Sequence, residues 1–258
     1  MTVLKKLNYI WRWFATAFSF IVFGVGGILM PLVVVPLLYL LPGNRLRREH
    51  RGQKIIHYSF RSFIWTMEKM GVLTYEITGI EKLKDAKLVL ANHPSLLDIV
   101  FLIACVPNAN CVVKSKLLRN PFIRGPVKAA GYIINNNEAD AVITTASQVF
   151  DDGRVVIVFP EGTRTTPSQK IQLKRGAANI AIRTGAEITP VIIDCSPTTL
   201  TKENRWYQIP EQRMHFTIQV KDKLDLGPSI VNLPPSKAAR NLTNTLSEYF
   251  NGEIGVYE

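Results

Sequence analysis

Cysteine is scarce: three in 258 residues, at positions 105, 111 and 195. That is too few and too scattered for a disulfide framework. Cys105 and Cys111 also miss the spacing of zinc pairs, so no metal centre is expected. All three read as core residues of a chain facing a reducing compartment. Acidic residues are short as well, 20 against 31 basic ones, leaving a net charge of +11. Such a surplus suits an anionic partner: nucleic acid, an anionic membrane face or a phosphorylated substrate. No zinc finger or aromatic RNA-binding motif is present, so nucleic acid is not expected among the partners. The absence of a Gly-x-Ser-x-Gly elbow counts against a serine esterase. Internal repeats and low-complexity segments are also missing.

Charge itself is absent from Phe14 to Leu41. A bilayer core needs only about 20 helical residues to cross it, and no small-residue cleavage site follows the run, so it reads as a membrane segment rather than a signal peptide. Gly24, Gly26, Gly27, Pro31 and Pro36 interrupt it, which leaves two topologies open, a single span or two halves folded back on each other. Lys5, Lys6 and Arg12 lie before the run, and Arg45, Arg47, Arg48, Arg51 and Lys54 after it. Positive residues favour the cytoplasmic side. A hairpin satisfies that rule at both ends, a single span only at the second. Either way the remainder is expected on the cytoplasmic face of the cell inner membrane.

Between Arg45 and Met70, Ile56, Phe60, Phe63, Ile64 and Met67 recur at helical spacing, apart from Arg47, Arg51, Lys54 and Arg61. This predicts an interfacial helix with its basic face on lipid headgroups; the alternative is a surface helix packed on the protein core. Residues 1–71 form the expected anchoring segment and 72–258 a second domain. There, short β-rich runs alternate with helical ones, which predicts an α/β fold: a mixed, mostly parallel sheet flanked by helices. Strands are expected at 74–78, 87–91, 110–114, 132–134, 154–159, 188–193 and 215–220. Helices are expected at 95–104, 138–151, 176–184 and 236–250.

Two apolar strands run into polar clusters, the usual way an α/β sheet builds a site. After Leu88–Ala91 comes Asn92-His93-Pro94-Ser95-Leu96-Leu97-Asp98. Pro94 suits a first helical position, placing His93 at a strand-to-helix junction. Asp98 can turn back onto one imidazole nitrogen, fixing the tautomer and freeing the other as a general base toward a substrate hydroxyl. After Arg154–Phe159 comes Pro160-Glu161-Gly162-Thr163-Arg164. Gly162 permits a tight turn, Thr163 and exposed amides can bind oxygens, and Arg164 offers a fork suited to phosphate.

The two motifs together, Asn-His-x-x-x-x-Asp and then Phe-Pro-Glu-Gly-Thr-Arg, resemble the glycerolipid and lysophospholipid acyltransferases, the group that includes 1-acylglycerol-3-phosphate acyltransferase. The resemblance covers about Tyr75 to Pro190. It implies His93 as general base and Asp98 as its orienting partner. It also implies an acceptor site at Glu161, Gly162, Thr163 and Arg164, with Lys114 near the phosphate and Lys174 adding charge. Ile188-Thr189-Pro190-Val191 matches a motif that shapes the acyl pocket. No metal or prosthetic group is implied. The donor is an acyl thioester of acyl-carrier protein or coenzyme A, and membrane lipids are the other partner. One block departs from the family: Gly131-Tyr132-Ile133-Ile134-Asn135-Asn136-Asn137 ends in amides where the family has Asp-Arg. With Asn120-Pro121-Phe122 upstream, this resembles a bacterial branch linked to specialised lipid or polyene pathways, so a lyso-amino-acid or polyene lipid is an alternative acceptor. A non-catalytic membrane-binding relative is the alternative from another class.

Overall fold

The computed structural model describes residues 3–165, 170–227 and 233–255; the outermost ends of the two expected segments lie outside them. Seven strands form one sheet: β1 (Leu73–Thr78), β2 (Leu88–Ala91), β3 (Ala109–Lys114), β4 (Ile133–Asn135), β5 (Val155–Val158), β6 (Ile188–Ser196) and β7 (Met214–Val220). Their order is β1-β7-β6-β2-β5-β3-β4. All neighbours pair parallel except β6 with β7. Five strands therefore run one way, and β1 and β7 the other. Their alternate side chains feed two cores. Val89, Ala91, Val155 and Ile157 face one side, while Leu88, Leu90, Val156 and Val158 face the other. Burial on both faces explains why these strands read as continuous apolar runs.

The first core lies under α3 (Arg45–Lys69) and α4 (Asp98–Cys105). The second lies under α6 (Ala139–Asp151), α7 (Arg175–Thr184) and α8 (Pro235–Ile254). Ile56, Phe63, Ile64 and Met67 of α3 belong to the first core. The apolar face of α3 is thus packed on the protein, as in the alternative reading of that helix. Its opposite face carries Arg47, Lys54, Tyr58, Arg61 and Trp65 outward.

The uncharged run is helical throughout: α1 (Val3–Leu29), a π-turn over Met30–Val34, then α2 (Val35–Leu40). Of the two topologies left open, a fold-back at Pro31 and Pro36 does not occur. Each proline sits at the start of its segment, and the wider π-turn absorbs the missing amide bonds while every junction stays in the right-handed helical region. The chain reverses only after Leu40, where Asn44 caps α3 by accepting from the Arg47 amide. The hairpin is therefore formed by α1–α2 against α3, not within the uncharged run.

Contacts along α1 fix its course. The Arg12 guanidinium donates to the carbonyls of Pro210, Glu211 and Gln212, just before β7. Phe20 meets Trp206 and Phe63. Gly27 and Pro31 abut Phe122 and Gly125 of α5 (Pro121–Ala129), which follows β3. From Arg12 to Leu29 a helix rises about 25 Å, close to the roughly 19 Å between β7 and β3 across four strand spacings. α1 therefore lies along the edge of the sheet where β6, β2, β5 and β3 end and β7 begins. Most of its outer face is apolar and exposed, including Leu7, Ile10, Phe14, Phe18, Ile21 and Val25.

Candidate active site

β2 and β5 are neighbours and end side by side on that edge, which brings the two sequence motifs together. The His93 ring stacks on Phe159 at a centroid distance of 4.1 Å. Its Nδ1 lies 2.8 Å from Asp98 Oδ2. Asp98 is fully buried and also accepts from the Ser95 amide at 2.7 Å. That bond closes a turn over residues 94–97, so α4 starts at Asp98 rather than at the expected Ser95. The carboxylate reaches back one turn, as in a helix-capping box. Asp98 Oδ1 is buried with no partner among the described residues. Burial is the largest influence on this carboxyl and raises it from 3.8 to about 6, with the His93 contact and the Ser95 amide opposing.

Asn92 anchors the start of the motif, exchanging two 2.7 Å bonds with the backbone of Ile193 in β6. Glu161 anchors the motif from the other side. One carboxylate oxygen accepts from the His93 amide at 2.8 Å, and the other accepts from the Thr165 hydroxyl. Thr165 in turn donates its amide to the His93 carbonyl. Glu161 is buried, and desolvation raises its carboxyl despite these bonds. Expected to line the acceptor site, it is instead committed to protein groups and stitches the two motif loops together.

Gly162 adopts φ +68°, and an added Cβ would meet the Lys174 side chain at 3.2–3.4 Å. Lys174 is thus laid over the Gly162 turn, its backbone held by the Pro160 carbonyl. Thr163 is exposed on the same loop. Arg164 donates through one terminal nitrogen to the carbonyls of Leu200 and Thr201, at 2.7 and 2.9 Å. It therefore braces the loop between β6 and β7, with its other nitrogens uncommitted to those carbonyls. Lys114, at the end of β3, pairs in register with Asn135. Its ammonium is lowered, first by burial and then by repulsion from Lys174, Lys116 and Lys202. The site therefore holds a group of mutually repelling cations.

Lys202 was not singled out by sequence. It follows Thr201 on the loop that Arg164 holds, in a stretch without periodicity, and only the motif arginine itself points toward it. Asn135, Asn136 and Asn137, the amides noted where the resembled family ends its block in Asp-Arg, shape a turn. Asn137 has φ +76°, and Asn135 and Asn136 accept from the amides of Asn137 and Glu138. Thr189 and Pro190 lie within β6, with the Thr189 hydroxyl buried.

Residues 74–194 match the family model described as Acyltransferase. A 1-acyl-sn-glycerol-3-phosphate acyltransferase of Helicobacter pylori is 31% identical over 131 residues, covering 46% of this chain and 55% of that protein. A putative 1-acyl-sn-glycerol-3-phosphate acyltransferase of Caenorhabditis elegans is 33% identical, covering 58% and 56%. That of Saccharomyces cerevisiae is 30% identical, covering 60% and 53%. The chain thus spans about half the length of the curated relatives it matches. The crystal structure of PlsC from Thermotoga maritima, an acyltransferase for 1-acyl-sn-glycerophosphate, superposes with a TM-score of 0.66 over 98% of this chain and 99% of that one. Its sequence identity is 18%, so this likeness speaks to the fold.

Proposed function

We propose, on the match of residues 74–194 to the family model described as Acyltransferase, that this chain transfers a fatty acyl group from a thioester donor to the free hydroxyl of 1-acylglycerol-3-phosphate or a closely related lysolipid. The observation that carries this reading is the 2.8 Å contact between His93 Nδ1 and the buried Asp98 carboxylate, at the mouth of the sheet. Asp98 holds the ring so that Nε2 serves as base. Nε2 takes the acceptor hydroxyl proton as that oxygen attacks the thioester carbonyl. The carbon–sulfur bond then breaks, and the imidazolium returns the proton to the departing thiolate. Asp98 stabilises the imidazolium in between. The acceptor's phosphate is received by Lys114, Lys174 and Lys202, together with the free part of Arg164. Lys202 offsets the cation missing at Asn137. The donor is an acyl-carrier protein or coenzyme A thioester, and no metal or prosthetic group enters the scheme.

Membrane binding is part of the same reading. The helical stretch Val3–Leu40 has a mean hydropathy of 2.5 in its most apolar window, and only 11% of that window is buried. Because α1 lies along the catalytic edge, its apolar outer face brings that edge to the lipid from which the acceptor comes. The outward stripe of Arg47, Lys54, Tyr58, Arg61 and Trp65 on α3 suits headgroups on the cytoplasmic side of the inner membrane.

The test is an acyl-transfer assay on detergent-solubilised protein with acyl thioesters and a panel of lyso-acceptors, wild type against His93→Ala. Product with 1-acylglycerol-3-phosphate that depends on His93 is the expected result. Product only with another acceptor moves the chain to a specialised lipid pathway. No product from folded protein with any acceptor overturns the reading.

A further inference from the structure

At the far end of the catalytic edge, where α1 crosses the starts of β1 and β7, lies a cleft of about 330 Å³ bordered by Asn8, Trp11, Arg12, Lys69 and Arg213. Three of these are cations and none is an acid. Arg12 is the unusual one. It is 3% exposed, and its partners are neutral: Asn8 Oδ1 at 3.0 Å and the carbonyls of Pro210, Glu211 and Gln212. A buried guanidinium surrounded by carbonyl dipoles keeps its full charge, and such a charge is costly without a counter-anion. Arg213 adds repulsion instead of relief. Among the described residues neither Lys69 nor Arg213 forms an ion pair.

The surroundings indicate what kind of anion fits. Trp11 donates its indole N–H to the Met70 carbonyl at 2.9 Å, which fixes the ring at the rim, and the ring is 55% exposed. Trp13 and Phe14 extend the exposed apolar surface of α1 beside it. A fixed indole between apolar surface and cations is the arrangement found at the headgroup level of a bilayer. The cleft is also separate from the acceptor site. β7 stands two strands from β2, roughly 10 Å across the sheet, and the β6–β7 loop lies between them.

We propose that this cleft binds the phosphate of an anionic phospholipid headgroup, as a second lipid site beside the one that reacts. Lys69 and Arg213 contact the phosphate from the rim, and Arg12 supplies the fixed charge beneath. The lipid source rests on the membrane reading of α1; the phosphate chemistry does not. Bound there, a resident lipid would pin the start of α1 to the sheet, so the site ties membrane surface charge to the placement of the catalytic edge.

The test is isothermal titration of the full chain in neutral detergent micelles with three probes: phosphatidylglycerol added to the micelles, phosphatidylcholine added likewise, and inorganic phosphate. The double variant Lys69→Ala/Arg213→Ala leaves the structural bonds of Arg12 in place. The expected result is saturable binding of phosphatidylglycerol by wild type, about a hundredfold weaker in the variant, with phosphatidylcholine bound poorly by both. Equal, variant-sensitive binding of inorganic phosphate would support the phosphate site and replace the lipid by a free phosphate ligand. Undiminished phosphatidylglycerol binding by the variant, or no saturable binding of any probe by wild type, overturns the proposal. Acyl transfer by both proteins in detergent is measured alongside. Its absence bears on the proposed reaction and not on the cleft.

Discussion

Two buried acid–base pairs on opposite faces of duty make an instructive contrast. Glu49 of α3 is taken at both carboxylate oxygens, by Arg45 and by Arg154 at the start of β5, and Arg154 also reaches Asp152. Gly131 packs so tightly against this carboxylate that a Cβ there would lie 2.2 Å from it. The His93–Asp98 pair is left open: one carboxylate oxygen has no partner among the described residues, and the proposed reaction leaves the second imidazole nitrogen to the substrate. The first arrangement fastens α3 to the sheet. Each arrangement leaves one buried atom without a partner among the described residues, Arg154 Nε in the first and Asp98 Oδ1 in the second; the difference is that the second contains an imidazole, which the proposed reaction uses to exchange a proton.

The largest effect that sharpens this contrast is expected at the open pair. His93→Ala should lower kcat by about 10²–10⁴-fold while thermal unfolding stays close to wild type; a drop in stability matching the loss of activity would make His93 a structural residue. The closed pair should behave in the opposite way. Glu49→Ala leaves Arg154 buried and should cost about 3–5 kcal/mol in denaturant unfolding. Residual folded protein should keep its turnover per molecule.

A third expectation concerns pH. Burial raises the Asp98 carboxyl to about 6, so the folded chain holds this proton more tightly than the unfolded chain does. Its ionisation therefore costs stability as pH rises from about 4 to 6, and the cost is complete above that range. Activity has the opposite slope, falling as pH drops through about 6, because the neutral carboxyl no longer steadies the imidazolium. Asp98→Asn should accordingly be inactive yet no less stable than wild type at pH 8, by calorimetry and initial rates. If the variant is less stable there, the carboxylate was stabilising after all. The smallest effect is expected at Gly162→Ala, where the left-handed backbone and the Lys174 side chain together cost about 1 kcal/mol and raise KM for the phosphorylated acceptor more than they lower kcat.

Much of this was legible in the sequence. All seven strands were marked by β-rich runs, fully apolar only in the doubly buried β2 and β5 and alternating in β7, and each observed strand overlaps its expected range. The pairing of His93 with Asp98 was readable because it is local. What escaped was set by contacts distant in sequence. α5 opens in the ordinary way, with Asn120 as cap and Pro121 first, but carries Pro126 inside it, which argues against a helix there, and it docks on the π-turn after α1 through Gly125 and Pro31. The prolines of the uncharged run kept a fold-back open, since a π-turn leaves no compositional mark. Glu161 looked like a ligand for substrate because a motif records which residues recur and not which way they face; here both its oxygens point inward. Arg12 resembled an ordinary flanking cation. Only the fold brings residues 210–212 to it.

The Leu200 carbonyl accepts from two donors, the Leu96 amide of the first motif at 3.1 Å and the Arg164 guanidinium of the second at 2.7 Å. Leu200 itself is buried in a left-handed conformation at φ +54°. A single peptide oxygen is therefore the junction at which a loop lying beyond the family-matched stretch is registered against both motifs. Past that junction come Lys202, proposed above to receive the acceptor phosphate, and then Trp206, which packs on Phe20 of α1. On the proposed reading, a graft of residues 202–205 from a relative with another acceptor preference shifts that preference while the clamp keeps the His93–Asp98 pair in place, which would make acceptor choice separable from proton transfer.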